Sequence, residues 1–231
     1  MSTSLARIRV CLFALLAVQV VLPAEEGFRS MFNGRDLAGW EGKPGWWRVE
    51  GGAITSESTP EKPCLAAHYL MWRGDAPADF DLRLEFRLVG GNSGIQFRSK
   101  ELPEWDTSGY QADIEDGDQW TGCLFEHTRG GVAMRGERVE IAADGERRVE
   151  VLGDPVALLG KVRRGEWNTY RIVARGANIR LEINGVLMAE VTDRQEGVAA
   201  RDGVIALQMH PGPPMKIQFR NLRIKSLVEK E

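Results

Sequence analysis

Phe80, Leu82, Leu84, Phe86 and Leu88 alternate without a break with Asp81, Arg83, Glu85 and Arg87. A period of two puts all five apolar side chains on one side of an extended chain and all four charges on the other. Such a segment rests with one face on a core and one in water, which is the pattern of a sheet in a sandwich or barrel. The same alternation returns at Ser93–Ser99, where Ile95 and Phe97 oppose Gln96 and Arg98, and at Tyr110–Glu115, where Tyr110, Ala112 and Ile114 oppose Gln111, Asp113 and Glu115. In Ile205–His210, Gln208 and His210 share one face opposite Ile205, Leu207 and Met209. Twenty-six glycines and ten prolines strengthen the case, since both residues are least tolerated inside helices.

Turn chemistry divides the chain into further strands. Gly51-Gly52 separates Trp46–Glu50 from Ala53-Ile54, Asp144-Gly145 joins 138–142 to 147–152, and Asn184-Gly185 joins 178–183 to 186–191. Strands are also expected at 122–128, 167–173, 203–210 and 216–225. One helix is predicted: Asp154 can cap, Pro155 suits the first helical position, and Val156, Leu158, Leu159 and Val162 form a short apolar face. The prediction is an all-β jelly-roll sandwich of two curved antiparallel sheets with one short helix, built as a single domain over 25–231.

Composition removes other classes. With 43% hydrophobic and 27% charged residues, the 231-residue chain is too polar for a multispanning membrane protein and too apolar for disorder. Net charge is −3 with the signs interleaved, so no basic patch points to nucleic acid. Arg7 and Arg9 precede the apolar run Val10–Leu22, and Pro23-Ala24 follow. Residues 1–24 therefore read as a signal peptide, with export to the periplasm or beyond and no membrane span in the remainder; an uncleaved N-terminal anchor is the alternative. Cys64 and Cys123 remain, either paired or as two buried thiols. Nothing in the sequence sets an oligomeric state.

The polar strand faces carry the candidate chemistry. Gln96, Gln111 and Gln208 are neutral amides where open surfaces favour Lys and Glu, and Asp113, Glu115, Arg98 and His210 lie beside them in the pattern. Convergent amides with few charges suit sugar hydroxyls, and Trp105 and Trp120 flank the Asp113 strand as stacking platforms. Adjacent Glu126 and His127 point to opposite faces of a strand, so one of them joins the site unless a bulge intervenes. His68, His127 and His210 with the carboxylates make a divalent ion conceivable, but no spacing matches a standard zinc motif. Gln111-Ala-Asp113-Ile-Glu115 has the shape of the Glu-x-Asp-x-Glu strand of retaining jelly-roll glycosidases, with an amide at the nucleophile position; an amide cannot form the glycosyl ester. The absence of a Gly-x-Ser-x-Gly elbow argues against an α/β-hydrolase.

Phe32–Trp40, Trp47–Ile54, Asp79–Arg87, Asn92–Arg98, Gly109–Ile114, Trp167-Asn168, Ile183–Gly185, Ala206–His210 and Phe219–Leu222 together resemble the 3-keto-disaccharide hydrolase domain family. The resemblance implies a concanavalin-like jelly roll, export from a bacterial cell and action on 3-keto-glycosides. A C3 ketone acidifies the C2 proton, so cleavage needs a base near C2, an electrophile near the C3 oxygen and an acid at the leaving group, and no carboxylate nucleophile. In this light His127 or Asp113 is expected as base. Arg98 or a divalent ion would stabilise the enediolate, and Glu126 or His210 would act as acid. Gln96, Gln111, Gln208 and Glu115 would orient hydroxyls. A non-catalytic carbohydrate-binding module is the competing expectation, and a calcium-stabilised jelly roll using Asp113, Asp116 and Asp118 is a third.

Overall fold

The computed structural model describes residues 26–227. The expected signal peptide and the terminal 229–231 segment lie outside the described residues. In chain order the strands are β1 (Arg29–Ser30), β2 (Trp40–Gly42), β3 (Trp47–Glu50), β4 (Ala53–Ser58), β5 (His68–Trp72), β6 (Phe80–Val89), β7 (Asn92–Leu102) and β8 (Asp106–Glu115). They continue as β9 (Leu124–Glu126), β10 (Gly130–Ala133), β11 (Glu137–Ile141), β12 (Arg147–Val151), β13 (Asn168–Arg175), β14 (Asn178–Ile183), β15 (Val186–Asp193), β16 (Val204–Met209) and β17 (Met215–Ser226). The single described α-helix, α1 (Pro155–Leu159), falls where expected, with Asp154 Oδ1 accepting from Ala157 N at 2.7 Å.

The strands form two sheets. The larger runs β12-β11-β15-β14-β13-β6-β17-β4-β3, with β1 added on β17; the smaller runs β10-β9-β8-β7-β16-β5-β2. The apolar set of β6 is buried as its alternation requires, and it meets Ile95 and Phe97 of β7, Tyr110, Ala112 and Ile114 of β8, and Leu207 and Met209 of β16 in one core between the sheets. Phe97 stacks on Tyr110 with ring centroids 5.8 Å apart and meets Phe80 edge-on at 6.0 Å. Asn184 and Gly185 both take positive φ, 52° and 77°, as the two-residue hairpin needs.

Two features depart from the expectation. The pairing of β11 with β15 is parallel, Arg138 opposite Glu190, so the larger sheet is not wholly antiparallel. β10 belongs to the smaller sheet, so the chain crosses to the larger one at Met134–Gly136 before β11 begins, and it arrives running alongside β15. The segment expected as a strand over 122–128 is extended only at Leu124–Glu126.

The second feature is a bulge in β7. The register with β8 shifts between Phe97 and Lys100, and Arg98 sits at φ 48°. The extra residue reverses which side chain faces out. Arg98 therefore leaves the face of Gln96 and is buried at 2% exposure; its Nε and Nη2 donate to Ala78 O at 2.9 and 2.8 Å, Nη1 to Gly176 O at 2.8 Å, and Nη2 to Asp79 Oδ1 at 3.0 Å. Expected as an enediolate partner, it is instead a tie between two loops. Beyond the bulge the β7–β8 hairpin folds over its own sheet. The chain can pass there because Gly109 has no side chain: a Cβ would lie 2.4 Å from Ser99 Oγ.

Replacing Arg98 by Ala removes three part-buried bonds to the Ala78 and Gly176 carbonyls and the pair with Asp79, which keeps the Gly176 N–H. We expect a loss of about 1.5–3 kcal/mol in denaturant unfolding; a loss under ~0.5 kcal/mol would remove this structural role.

Candidate functional site

The outer face of the smaller sheet is hollow and polar at its floor. Register sets Gln96 of β7 opposite Gln111 of β8, and Gln208 of β16 opposite Tyr69 of β5. Gln96 Nε2 donates to Gln111 Oε1 at 2.9 Å, Gln111 Nε2 to Gln208 Oε1 at 3.3 Å, and Gln208 Nε2 to Tyr69 Oη at 2.9 Å. Tyr69 Oη lies 3.3 Å from His127 Nε2, and Gln96 Nε2 lies 3.3 Å from His127 Nδ1, which closes a ring of five side chains. Ser99, turned onto this face by the bulge, donates to Gln96 Oε1 at 2.5 Å. Gln111 Nε2 also donates to Asp113 Oδ1. Gly94 makes room for that amide, since a Cβ there would meet Gln111 Cδ at 2.6 Å.

Distance measures the curvature. His127 follows β9, and β9 is separated from β5 by β8, β7 and β16. Four strand spacings span ~19 Å in a flat sheet, yet the two side chains touch. His127 and Tyr69 thus bridge the hollow above the amides, which are buried while His127 is exposed. An aromatic wall continues from them: Trp120 meets Phe125 edge-on at 5.7 Å, and Phe125 meets His127 at 5.8 Å.

Burial sets the charge state of the floor. Asp113, held away from water and beside the Glu115 charge, is pushed up to about 8, with the Gln111 hydrogen bond pulling the other way. At neutral pH it is mostly a neutral acid. Tyr69 is pushed up to about 12 by burial, so its hydroxyl keeps its proton. His127 Nδ1 lies 3.4 Å from Gly109 O and 3.3 Å from Gln96 Nε2; with the hydrogen on Nδ1 it donates to the carbonyl and Nε2 accepts from the Tyr69 hydroxyl, and with the hydrogen on Nε2 it is Nδ1 that accepts from Gln96.

The structure brings together Gln96, Gln111, Gln208, Asp113 and His127, and sets Trp120 on the wall beside them. Glu115 stands two residues from Asp113; its Oε2 accepts from Gln119 N at 3.0 Å and Trp120 N at 2.9 Å, so it holds the loop that carries Trp120. His210 is half-buried at the end of β16, and its Nδ1 donates to Pro211 O at 2.6 Å. Glu126 is not on this face. It points inward, and its Oε2 accepts from Thr128 Oγ1 at 2.6 Å and Arg129 Nε at 3.2 Å, within a cluster in which Arg129 also binds Asp193 at 2.7 Å. Trp105 sits at the tip of the β7–β8 hairpin and lines a separate cavity. Asp116 accepts from Gly90 N and Asp118 pairs with Arg164, apart from Asp113, and among the described residues no three His, Cys, Asp or Glu side chains cluster closely enough to hold a metal ion. Cys64 and Cys123 are both buried free thiols.

Tyr69 and Ser99 belong to the site and were not foreseen. Tyr69 lies in His68–Trp72, where all five residues are buried and no alternation marks a face. Ser99 faces the hollow only because of the bulge.

The sequence profile of the 3-keto-alpha-glucoside-1,2-lyase-like domain matches residues 27–225, nearly all of the described chain. The chain belongs to that family. As a lyase-like domain it shares its fold with a candidate glycosyl hydrolase from Parabacteroides distasonis, at 18% identity and TM-score 0.58, covering 88% of this chain and 95% of that one. The carbohydrate binding module CBM66 from Bacillus subtilis aligns at 14% identity and TM-score 0.52, covering 81% and 96%. A Bacillus subtilis protein of unknown function with a galectin-like fold aligns at 11% and 0.53, covering 84% and 92%. No curated protein matches the sequence of this lyase-like domain.

Asp113 makes stability depend on pH. Its pKa is raised in the folded state above the ordinary 3.8, so its contribution is fully present below about pH 4 and is lost as pH rises toward about 8. Asp113→Asn, which cannot ionise, should gain on the natural chain by up to roughly 1.4 kcal/mol per pH unit across that window. Chemical unfolding of both proteins from about pH 5 to 8 checks this; a constant difference between them would show that Asp113 ionises normally.

Proposed function

We propose that this domain cleaves the glycosidic bond of 3-keto-glycosides by elimination and hydration. The observation that carries the reading is the hollow itself: neutral amides and a neutral carboxylic acid form its floor, a basic imidazole nitrogen stands at its rim, and the position of a glycosidase nucleophile holds Gln111. Such a site suits proton transfer next to a ketone better than displacement by a carboxylate.

In this scheme the substrate enters from the exposed side of His127 and replaces the His127–Tyr69 contact. His127 Nε2 takes the C2 proton. The electron pair left on C2 moves toward the C3 carbonyl, whose oxygen gains charge opposite the Tyr69 hydroxyl and the remaining Gln208 amide hydrogen. The C1–O bond then breaks, with its electrons leaving on the aglycone oxygen, which His210 protonates. Water then adds: its hydroxyl goes to C1 and its proton recharges His210, while His127, its proton exchanged with solvent, protonates C2, so the sum is hydrolysis. Asp113 positions Gln111, and Glu115 positions Trp120 against the sugar face.

The family supports the carbohydrate class, and the burial of the amides supports their role as a fixed floor. A purely binding role is the second reading, supported by the shared fold with a carbohydrate binding module. Incubation with a 3-keto-disaccharide separates the two. Turnover should fall at least ~100-fold in His127→Ala, stay within a few-fold in Glu126→Gln, and decline above pH about 8 as Asp113 ionises. Undiminished turnover in His127→Ala would reject the assignment, and saturable sugar binding without turnover would establish the binding module.

A further inference from the structure

His127 stands in the turn that joins β9 to β10. Arg129 N donates to Glu126 O at 3.1 Å, which closes a tight turn over His127 and Thr128, and Gly130 follows at φ 76°, as a three-residue hairpin loop requires. The imidazole is exposed, and its own polar contacts are long: 3.3 Å to Tyr69 Oη, 3.3 Å to Gln96 Nε2 and 3.4 Å to Gly109 O. Contacts beyond ~3.2 Å hold a ring weakly. What fixes the turn lies behind it.

Glu126 points away from the hollow and is buried. One of its oxygens, Oε2, accepts from Thr128 N at 3.2 Å, Thr128 Oγ1 at 2.6 Å, Arg129 N at 3.1 Å and Arg129 Nε at 3.2 Å. All four donors belong to the two residues that follow His127. This cage is anchored in turn. Arg129 Nη1 donates to Asp193 Oδ2 at 2.7 Å and to Gln195 Oε1 at 3.2 Å, and Tyr110 Oη donates to the same Asp193 oxygen at 2.5 Å. Asp193 is fully buried and ends β15 in the larger sheet, whereas Tyr110 lies opposite Glu126 on β8 of the smaller one. The turn that carries His127 is therefore fastened to both sheets through Glu126, Arg129, Asp193 and Tyr110.

We propose that Glu126, tied through Arg129 to Asp193, is a positioning residue that holds His127 over the hollow. The proposal rests on the reading of His127 as the base that removes the C2 proton. Burying two carboxylates and a guanidinium gains little stability over apolar packing of the same volume; what the cluster supplies is fixed direction. Glu126 does not border the hollow and moves no proton. It acts by accepting hydrogen bonds, and all four end on one oxygen. An amide keeps such an oxygen, so Glu126→Gln retains the cage and Glu126→Ala loses it. A general acid behaves differently, since an amide in its place abolishes the proton transfer. The adjacent pair Glu126-His127 thus divides its work: one side chain enters the hollow and the other fastens the turn.

The test compares Glu126→Ala with Glu126→Gln in the full chain. The first readout needs no substrate. A nuclear Overhauser contact between the His127 ring and the Gln96 side-chain amide should be present in the natural chain and in Glu126→Gln, and lost in Glu126→Ala. The second is turnover of a 3-keto-disaccharide. In Glu126→Ala, kcat should fall about 10–100-fold with KM within roughly threefold, because a misplaced base costs rate rather than binding. Glu126→Gln should stay within a few-fold of the natural chain. A His127–Gln96 contact that survives in Glu126→Ala would overturn the proposal, as would a Glu126→Gln variant as slow as Glu126→Ala. Full turnover in His127→Ala would instead remove the base from the mechanism, and the Overhauser contact would still decide whether Glu126 holds the imidazole. If Glu126→Ala does not fold, Thr128→Val takes its place, since it removes the shortest of the four bonds from an exposed side chain. A weakened His127–Gln96 contact is then the expected result, and an unchanged one overturns the proposal.

Discussion

The hydrogen-bonded run from Gln96 through Gln111, Gln208 and Tyr69 to His127, whose imidazole comes back within 3.3 Å of Gln96, is what the candidate site depends on. Amides buried against a sheet cost several kcal/mol unless their donors and acceptors are met. Here each glutamine meets the next from a neighbouring strand, and the tyrosine and histidine meet above them from the two flanks. Each bond restrains the position of the next side chain, so the amides of β16, β7 and β8 and Tyr69 of β5 are held as one connected network. A polar floor of this kind is rigid, uncharged and supplied with hydrogen bonds in fixed directions.

Curvature and charge have separate causes. The bulge at Arg98 turns a guanidinium inward to tie Ala78, Asp79 and Gly176, and turns Ser99 outward to support Gln96. The folded-over hairpin then shields Tyr69, Met71 and Ala206, which would otherwise expose an apolar strip on an outer face. Asp113, opposite Gly94 and away from the bulge, retains its proton near neutrality through its own burial beside Glu115.

Much of this was legible in the residues. Period-two alternation located β6, β7, β8 and β16 and chose the polar face on each, and Asn-Gly and Asp-Gly pairs located the hairpins. The three glutamines stood out because open surfaces rarely carry them. What failed to show has a common cause. Arg98 and Ser99 exchange faces through one inserted residue, which leaves no trace in a repeat of two. Tyr69 hides in a run buried on both sides. Glu126 and His127 were correctly seen as facing opposite ways, but only the structure tells which of them faces the hollow. Cross-strand neighbours such as Gln208 and Tyr69, 139 residues apart, depend on topology rather than on sequence spacing.

The mechanism turns on removal of the C2 proton by His127, and turnover of a 3-keto-glycoside in deuterium oxide reads that step directly. Elimination followed by hydration installs one solvent deuterium at C2 of the released sugar in every catalytic cycle. Product that keeps its original hydrogen at C2, formed at the full enzymatic rate, would mean that the glycosidic bond breaks by direct displacement and that the imidazole serves some other purpose.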